Sequence, residues 1–180
     1  EQGDLEAGFA EADLVIEREF TTKPVHQGYI EPHAVVADSS QDSTAVVWCS
    51  SQGHFRVQSQ TAAMLGWEAS QIKVLPAEIG GGFGGKTTIY LEPLAVLLSS
   101  KANRPVKIVM TRDEVFRATG PTPGTRIKVK LGAKSDGTLV AGEAWMAYEN
   151  GAFQSIWGML GCWCIFAPYK IPNYVIEGYD

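Results

Sequence analysis

Five of the six residues from 80 to 85 are glycine: Gly80, Gly81, Gly82, Gly84 and Gly85, interrupted by Phe83. Glycine loses more backbone freedom on folding than any other residue, so the run needs a reason, either positive φ or a close approach of the backbone to something else. Both needs arise where main-chain N–H groups converge on the oxygens of a ligand, and the N-terminus of a following helix would strengthen the pull on an anion. An oxyanion- or phosphate-bearing ligand is therefore the expectation. The plainer reading is a glycine-rich turn packed on an aromatic ring.

The run fits more than one template. Residues 80–87 satisfy G-x-x-x-x-G-K-[ST], the phosphate-binding loop of nucleotide hydrolases, in which Lys86 and Thr87 would meet phosphate and magnesium. Gly80, Gly82 and Gly85 also satisfy G-x-G-x-x-G, the dinucleotide fingerprint. Against the hydrolase, no apolar strand ends on a magnesium-orienting Asp, since Lys107, Ile108, Val109 and Met110 lead into Thr111-Arg112-Asp113. Against the dinucleotide fold, no opening strand runs directly into the loop.

Around the loop, periodicity predicts interleaved strands and helices. Residues 14–20 alternate apolar and charged side chains (Leu14, Ile16, Arg18, Phe20), the mark of a half-buried strand. A strand over 33–37, a polar turn over 38–42 and a strand over 44–49 buried on both faces suggest a hairpin. Residues 53–65 read as a helix with Phe55, Ala62 and Leu65 on one face and Gly66 as a left-handed cap. A strand follows at 72–75. Beyond the loop, Leu91, Leu94, Ala95 and Leu98 fall on one face of a second helix with Pro93 in its first turn, ended by Asn103-Arg104-Pro105. Then come a strand at 106–110, a helical turn at 112–117, and strands at 126–131 and 139–148 joined through Ser135-Asp136-Gly137. Residues 149–168 lack periodicity and read as a buried or interface-forming loop. The fold expected is α+β, a two-layer arrangement of mixed β-sheet and packed helices, forming a single domain over 1–180.

Composition narrows the partners. A net charge of −5 disfavours nucleic acid and anionic membranes, which need a positive patch. No apolar run approaches the ~20 residues of a membrane helix. Three cysteines, Cys49, Cys162 and Cys164, suit neither a disulfide framework nor a four-cysteine metal site, so a reducing, cytoplasmic setting is expected. The chain starts at Glu1 without an initiator Met, and residues 174–180 read as a strand cut off in progress, so an excised fragment of a larger subunit is expected.

Four stretches together resemble the molybdenum hydroxylases, the xanthine dehydrogenase and aldehyde oxidase family. They are His26-Gln27-Gly28-Tyr29-Ile30-Glu31-Pro32-His33, then Ser51-Gln52, then the loop up to Lys86, then Arg104-Pro105-Val106-Lys107 leading to Arg112-Asp113-Glu114. Lys170-Ile171-Pro172-Asn173 is similar to a further family segment. The resemblance implies a molybdenum-molybdopterin cofactor, with Gln52 hydrogen-bonding a metal oxo group and Phe83 beside the metal. It implies Gly81, Gly82, Gly84 and Gly85 as further cofactor contacts and Thr87 as the substrate-facing position. A neutral amide can donate to an oxo group without adding charge, and glycine amides can come close to the pterin and metal oxygens.

The resemblance further implies an oxidoreductase that hydroxylates or oxidises an aldehyde or aromatic N-heterocycle with water as oxygen source. Electrons would leave through iron–sulfur clusters and FAD held in other subunits or domains. The base glutamate of such enzymes falls beyond Asp180, so these residues hold none of the catalytic groups and would be inactive alone, needing the remaining segments of the catalytic subunit. Xanthine-oxidising members carry a substrate-binding Glu where this chain has Thr87, which argues against purines. The readings left beside it are a nucleotide hydrolase and a non-catalytic binding or assembly module.

Other residues read as structural. His26, His33 and His54 lack metal-ligand spacing. Glu31, beside Pro32, reads as a capping or ion-pair partner. Cys162-Trp163-Cys164, taken as a strand, would point its thiols to opposite faces and bury them as core cysteines. Asp113 and Glu114 with Arg112 and Arg117 form a solvated charge cluster. Trp157, Trp163, Phe166 and Tyr169 read as core or as a covered surface.

Overall fold

The period-two and helical patterns fold into two compact units, Glu1–Val25 with Pro123–Asp180, and His26–Thr122. The computed structural model describes residues 1–39, 43–151 and 156–180. The expected turn at 38–42 lies partly outside these residues, as do residues 152–155 of the segment 149–168. In chain order the elements are α1 (Leu5–Ala10), β1 (Leu14–Thr22), β2 (Ala34–Asp38), β3 (Ala45–Cys49), α2 (His54–Leu65), β4 (Ile72–Pro76), α3 (Glu92–Ala102), β5 (Val106–Val109), α4 (Arg112–Ala118), β6 (Gly124–Ala133), β7 (Leu139–Glu149), α5 (Trp157–Cys164) and β8 (Asn173–Tyr179), with a 3₁₀ turn at Ala69–Gln71.

The unit His26–Thr122 carries a mixed sheet of order β4-β3-β2-β5. β2 pairs antiparallel with β3 and with β5, and β3 pairs parallel with β4 through the α2 crossover. Alternation along β2 and β3 puts Val35, Ala37, Ala45, Val47 and Cys49 on the face that meets Val57 and Ala62 of α2 and Ala95 and Val96 of α3. This is the expected sheet-on-helix layering. The strand at 44–49 is interior but buried on one face only, since Trp48 is 39% exposed.

Helix α2 ends as its sequence predicts, with Gly66 left-handed at φ 69°. Its buried face, though, is Val57, Thr61 and Ala62, and Phe55 is exposed. In α3 the buried residues are Glu92, Pro93, Ala95, Val96 and Ser99. Leu94, Leu97 and Leu98 are partly exposed. Ala62, Leu65, Leu91 and Ala95 pack on the core as periodicity predicts, whereas buried Thr61 and Ser99 are polar positions that a reading by hydrophobicity misses. Asn103 caps α3 at φ 49°. A capping box between Thr111 and Glu114 starts α4.

The unit Glu1–Val25 with Pro123–Asp180 carries a second sheet, order β1-β6-β7-β8, antiparallel except for the parallel β7–β8 pair. Its core gathers Ala144, Phe166 and Ile171 with Val129, Leu131 and Ile176. β1 alternates as predicted, yet Leu14, Ile16 and Phe20 are about half exposed, so it is an edge strand without a buried face. Residues 157–164 form a helix where a loop, with a strand at the cysteines, was expected. On it Cys162 is half-buried and Cys164 exposed, so only Cys49 of the three is a core thiol. Helix α1, stopped short by Glu11, carries no periodicity long enough to reveal it; the Asp4 carboxylate caps it by accepting the Ala7 N–H at 3.0 Å.

Candidate functional site

The glycine loop is shaped by what lies against it. Gly81 and Gly84 have φ of 95° and 89°, and Phe83 between them is also left-handed at 50°. The others are glycine for lack of room. A Cβ on Gly82 would sit 2.4 Å from Gln52 Oε1, and one on Gly85 would sit 2.7 Å from the ring of Tyr29. Tyr29 is 1% exposed and forms the floor under the loop.

Gln52 follows β3 and reaches the loop with its amide oxygen. Oε1 accepts the N–H of Gly84 at 3.0 Å and the N–H of Lys86 at 3.1 Å. Two facing donors fix the amide orientation, oxygen inward and Nε2 outward. The Gln52 and Ser51 segment is tied to the same place, since Gln52 N–H donates to Lys86 O at 2.9 Å and Ser51 Oγ donates to it at 3.2 Å. Within the loop, Gly85 N–H donates to Gly82 O at 2.8 Å. Thr87 Oγ1 donates to Gly84 O at 2.9 Å, so that hydroxyl closes the loop upon itself.

The donors that remain are informative. Among the described residues, Gln52 Nε2 and the main-chain N–H groups of Gly81, Gly82 and Phe83 have no acceptor, although Gly82 is buried. Four neighbouring donor groups with no facing acceptor suit a ligand rich in oxygens or other lone pairs. The Phe83 ring is 73% exposed and packs back on Gly81.

Beneath the loop lies a buried polar network. Lys86 is 1% exposed and its Nζ meets Glu31 Oε2 at 2.6 Å and stands 5.1 Å from the centre of the Tyr29 ring. Burial pushes the Glu31 carboxyl up, but hydrogen bonds from Lys86 and Gly80 outweigh it and hold the group below its ordinary value. Tyr29 and His33 share a 2.7 Å hydrogen bond between the hydroxyl and Nε2. Burial, with the Lys86 charge adding, lowers His33 to about 4, so its ring is neutral near pH 7. His26 accepts Gly28 N–H at Nδ1, 3.0 Å, which leaves Nε2 as the donor to Thr119 Oγ1 at 2.9 Å.

The structure thus brings together Gln52, Gly81, Gly82, Phe83, Gly84, Gly85 and Thr87. It places His26 and His33 in the network and His54 elsewhere, and among the described residues no cluster of three or more His, Cys, Asp or Glu could hold a metal ion. Glu31 is an ion-pair partner, as its sequence context predicts. Tyr29 and Lys86 are the residues that sequence reasoning undervalued; both lie in stretches quoted for other reasons. The phosphate-loop template fails on two counts. No helix follows the loop directly, because α3 begins only at Glu92, and Lys86 is paired and buried instead of facing a ligand.

Over residues 1–180 the chain matches the family model described as the molybdopterin cofactor-binding domain. It is 30% identical over 179 residues to a probable xanthine dehydrogenase component from Bacillus subtilis (strain 168), covering 98% of this chain and 24% of that protein. It is 29% identical over 181 residues to the nicotinate dehydrogenase large molybdopterin subunit of Eubacterium barkeri, covering 98% and 42%. The solved structure of the aldehyde oxidoreductase from Desulfovibrio gigas aligns with a TM-score of 0.82 at 27% identity, over 97% of this chain and 20% of that one. The chain therefore spans less than half the length of each.

Proposed function

Because the chain belongs to the molybdopterin cofactor-binding domain family, we propose that its glycine loop and Gln52 form one wall of the molybdenum-pterin site of an oxidoreductase. Its substrate is an aldehyde or an aromatic N-heterocycle, hydroxylated or oxidised with water as the oxygen source. The observation that carries this reading is the set of unmatched donors: Gln52 Nε2 with the N–H groups of Gly81, Gly82 and Phe83. These residues fit the group, since a metal oxo and a pterin dithiolene present lone pairs and no protons to such donors.

When bound, the cofactor supplies the two-electron oxidation of substrate. The chain's own part is orientation and electrostatics. Gln52 presents a neutral amide N–H₂ while its oxygen is held by Gly84 and Lys86. The amides of 81–83 offer further donors from a loop pinned at Gly80, Gly84 and Lys86. Neither the Gln52 amide nor a loop amide is basic enough to take a proton from substrate or water, so the base lies in other segments of the catalytic subunit, and these residues alone are inactive. Thr87 faces substrate without a carboxylate, which disfavours purines. Iron–sulfur and flavin subunits or domains take the electrons, in a cytoplasmic enzyme.

The test is an assay of the full-length parent, purified with its partner subunits, on aldehydes, N-heterocycles and xanthine in ¹⁸O-labelled water. Label in the product, with kcat reduced in Gln52→Ala, is expected. Stabilisation by ATP that Lys86→Ala abolishes, with no label transfer, would return the case to a nucleotide hydrolase.

A further inference from the structure

A single carboxylate oxygen holds both ends of the glycine loop. Glu31 Oε2 accepts the N–H of Gly80 at 2.8 Å and the ammonium of Lys86 at 2.6 Å. The Glu31 main chain adds a second tie, its N–H donating to Gly80 O at 3.3 Å. On the far side, Gln52 Oε1 takes the N–H groups of Gly84 and Lys86. Residues 80, 84 and 86 are therefore fixed by two side chains from outside the loop, and the stretch between the first two of these points holds the free donors of Gly81, Gly82 and Phe83.

Lys86 has no ligand-facing role in this arrangement. Its ammonium is buried, paired with Glu31 and set against the Tyr29 ring, so it acts as a strut under the loop. An ion pair whose ammonium is buried and whose carboxylate is only 31% exposed contributes little net stability over an apolar substitute, and the attested use of such pairs is to fix one geometry among several. We infer that Glu31 and Lys86 are positioning residues for the cofactor: their pair sets the separation of the loop ends and so aims the Gly81, Gly82 and Phe83 amides and, through the shared Lys86 main chain, the Gln52 amide. This rests on the molybdenum-pterin reading above.

Two substitutions separate position from charge. Glu31→Asp keeps the charge but is one methylene shorter, so it cannot reach Gly80 and Lys86 together. Glu31→Gln keeps the reach and an acceptor oxygen but leaves the Lys86 charge unpaired. In the full-length holoenzyme, positioning predicts that Glu31→Asp lowers kcat by about 10²-fold, the cost of a misplacement on the order of 1 Å. KM should stay close to that of the wild type, because neither Glu31 nor Lys86 itself touches substrate. The electron paramagnetic resonance signature of the metal should shift with it, while Glu31→Gln loses chiefly thermal stability. Should the single variants not accumulate, Glu31→Gln combined with Lys86→Met removes both charges at once, and the same changes in kcat and spectrum are expected of it.

Wild-type kcat and spectrum in Glu31→Asp, or in the double variant, overturn the inference, whatever happens to stability. A wild-type parent that carries neither molybdenum nor pterin overturns the reading beneath it, and the inference falls with that reading. Loaded variants with unchanged catalysis overturn the inference alone.

Discussion

The two units of this chain spend their polar groups differently. In His26–Thr122 the hydrogen bonds of Gln52, Glu31, Lys86, Thr87, Tyr29 and His33 converge on one loop or the floor beneath it, and two of its larger fully buried side chains are Tyr29 and Lys86. In Glu1–Val25 with Pro123–Asp180 the ion pairs Arg126–Glu19 and Lys134–Glu11 lie at the surface, and the edge strand β1 leaves Leu14, Ile16 and Phe20 about half exposed. The first pattern fixes a local geometry; the second holds strands together. Substitutions should therefore act sharply in the first unit and weakly at the surface of the second.

The largest expected difference is in acid. His33 is held at about 4 in the folded chain against an ordinary value of 6.5, so the unfolded chain takes up its proton first as pH falls. The stability this gives is fully present above pH 6.5 and is lost as pH falls toward about 4, amounting to about 3 kcal/mol. Chemical denaturation across that window should show it, and His33→Gln should flatten the profile. A profile in that variant as steep as the wild type's would show that His33 does not carry the acid sensitivity of this unit.

Next is Gly85→Ala. Its Cβ would meet Tyr29 at 2.7 Å and Gln27 at 3.1 Å, and Tyr29 has no space to retreat. Overpacking of this kind costs about 2 kcal/mol, read as a lower unfolding midpoint. Tyr29→Phe should cost less, about 1 kcal/mol, because it strips His33 Nε2 of its partner while keeping the ring that supports Lys86. Smallest is Glu19→Gln in the other unit, where the pair with Arg126 is solvated. No measurable change in the midpoint is expected.

What the sequence shows and hides follows the same division. Strands and helix stops were legible because they depend on local chemistry: the alternation of β1, Gly66 as a left-handed cap, Asn103 at the end of α3, Gly137 in the β6–β7 turn. The helix faces were legible only in part: Ala62, Leu65, Leu91 and Ala95 pack where periodicity put them, while Thr61 and Ser99, buried against the sheet, carry no hydrophobic signal. Helix α5 was hidden by Gly158 and Gly161, which look like loop residues yet are needed where Tyr179 and Tyr148 press against the helix. At the site, Gln52 and the loop were found through resemblance. The Glu31–Lys86 pair joins residues 55 positions apart, a distance that no local pattern reports.

Gln52 and the glycine loop are proposed to face a molybdenum-pterin group. Metal and pterin analysis of the full-length parent, purified with its partner subunits beside its Gln52→Ala variant, tests it most directly. Stoichiometric molybdenum and pterin are expected in the wild type, and lower metal content or an altered metal spectrum in the variant. Wild-type protein without either component, or a variant identical to the wild type in content and spectrum, would contradict it.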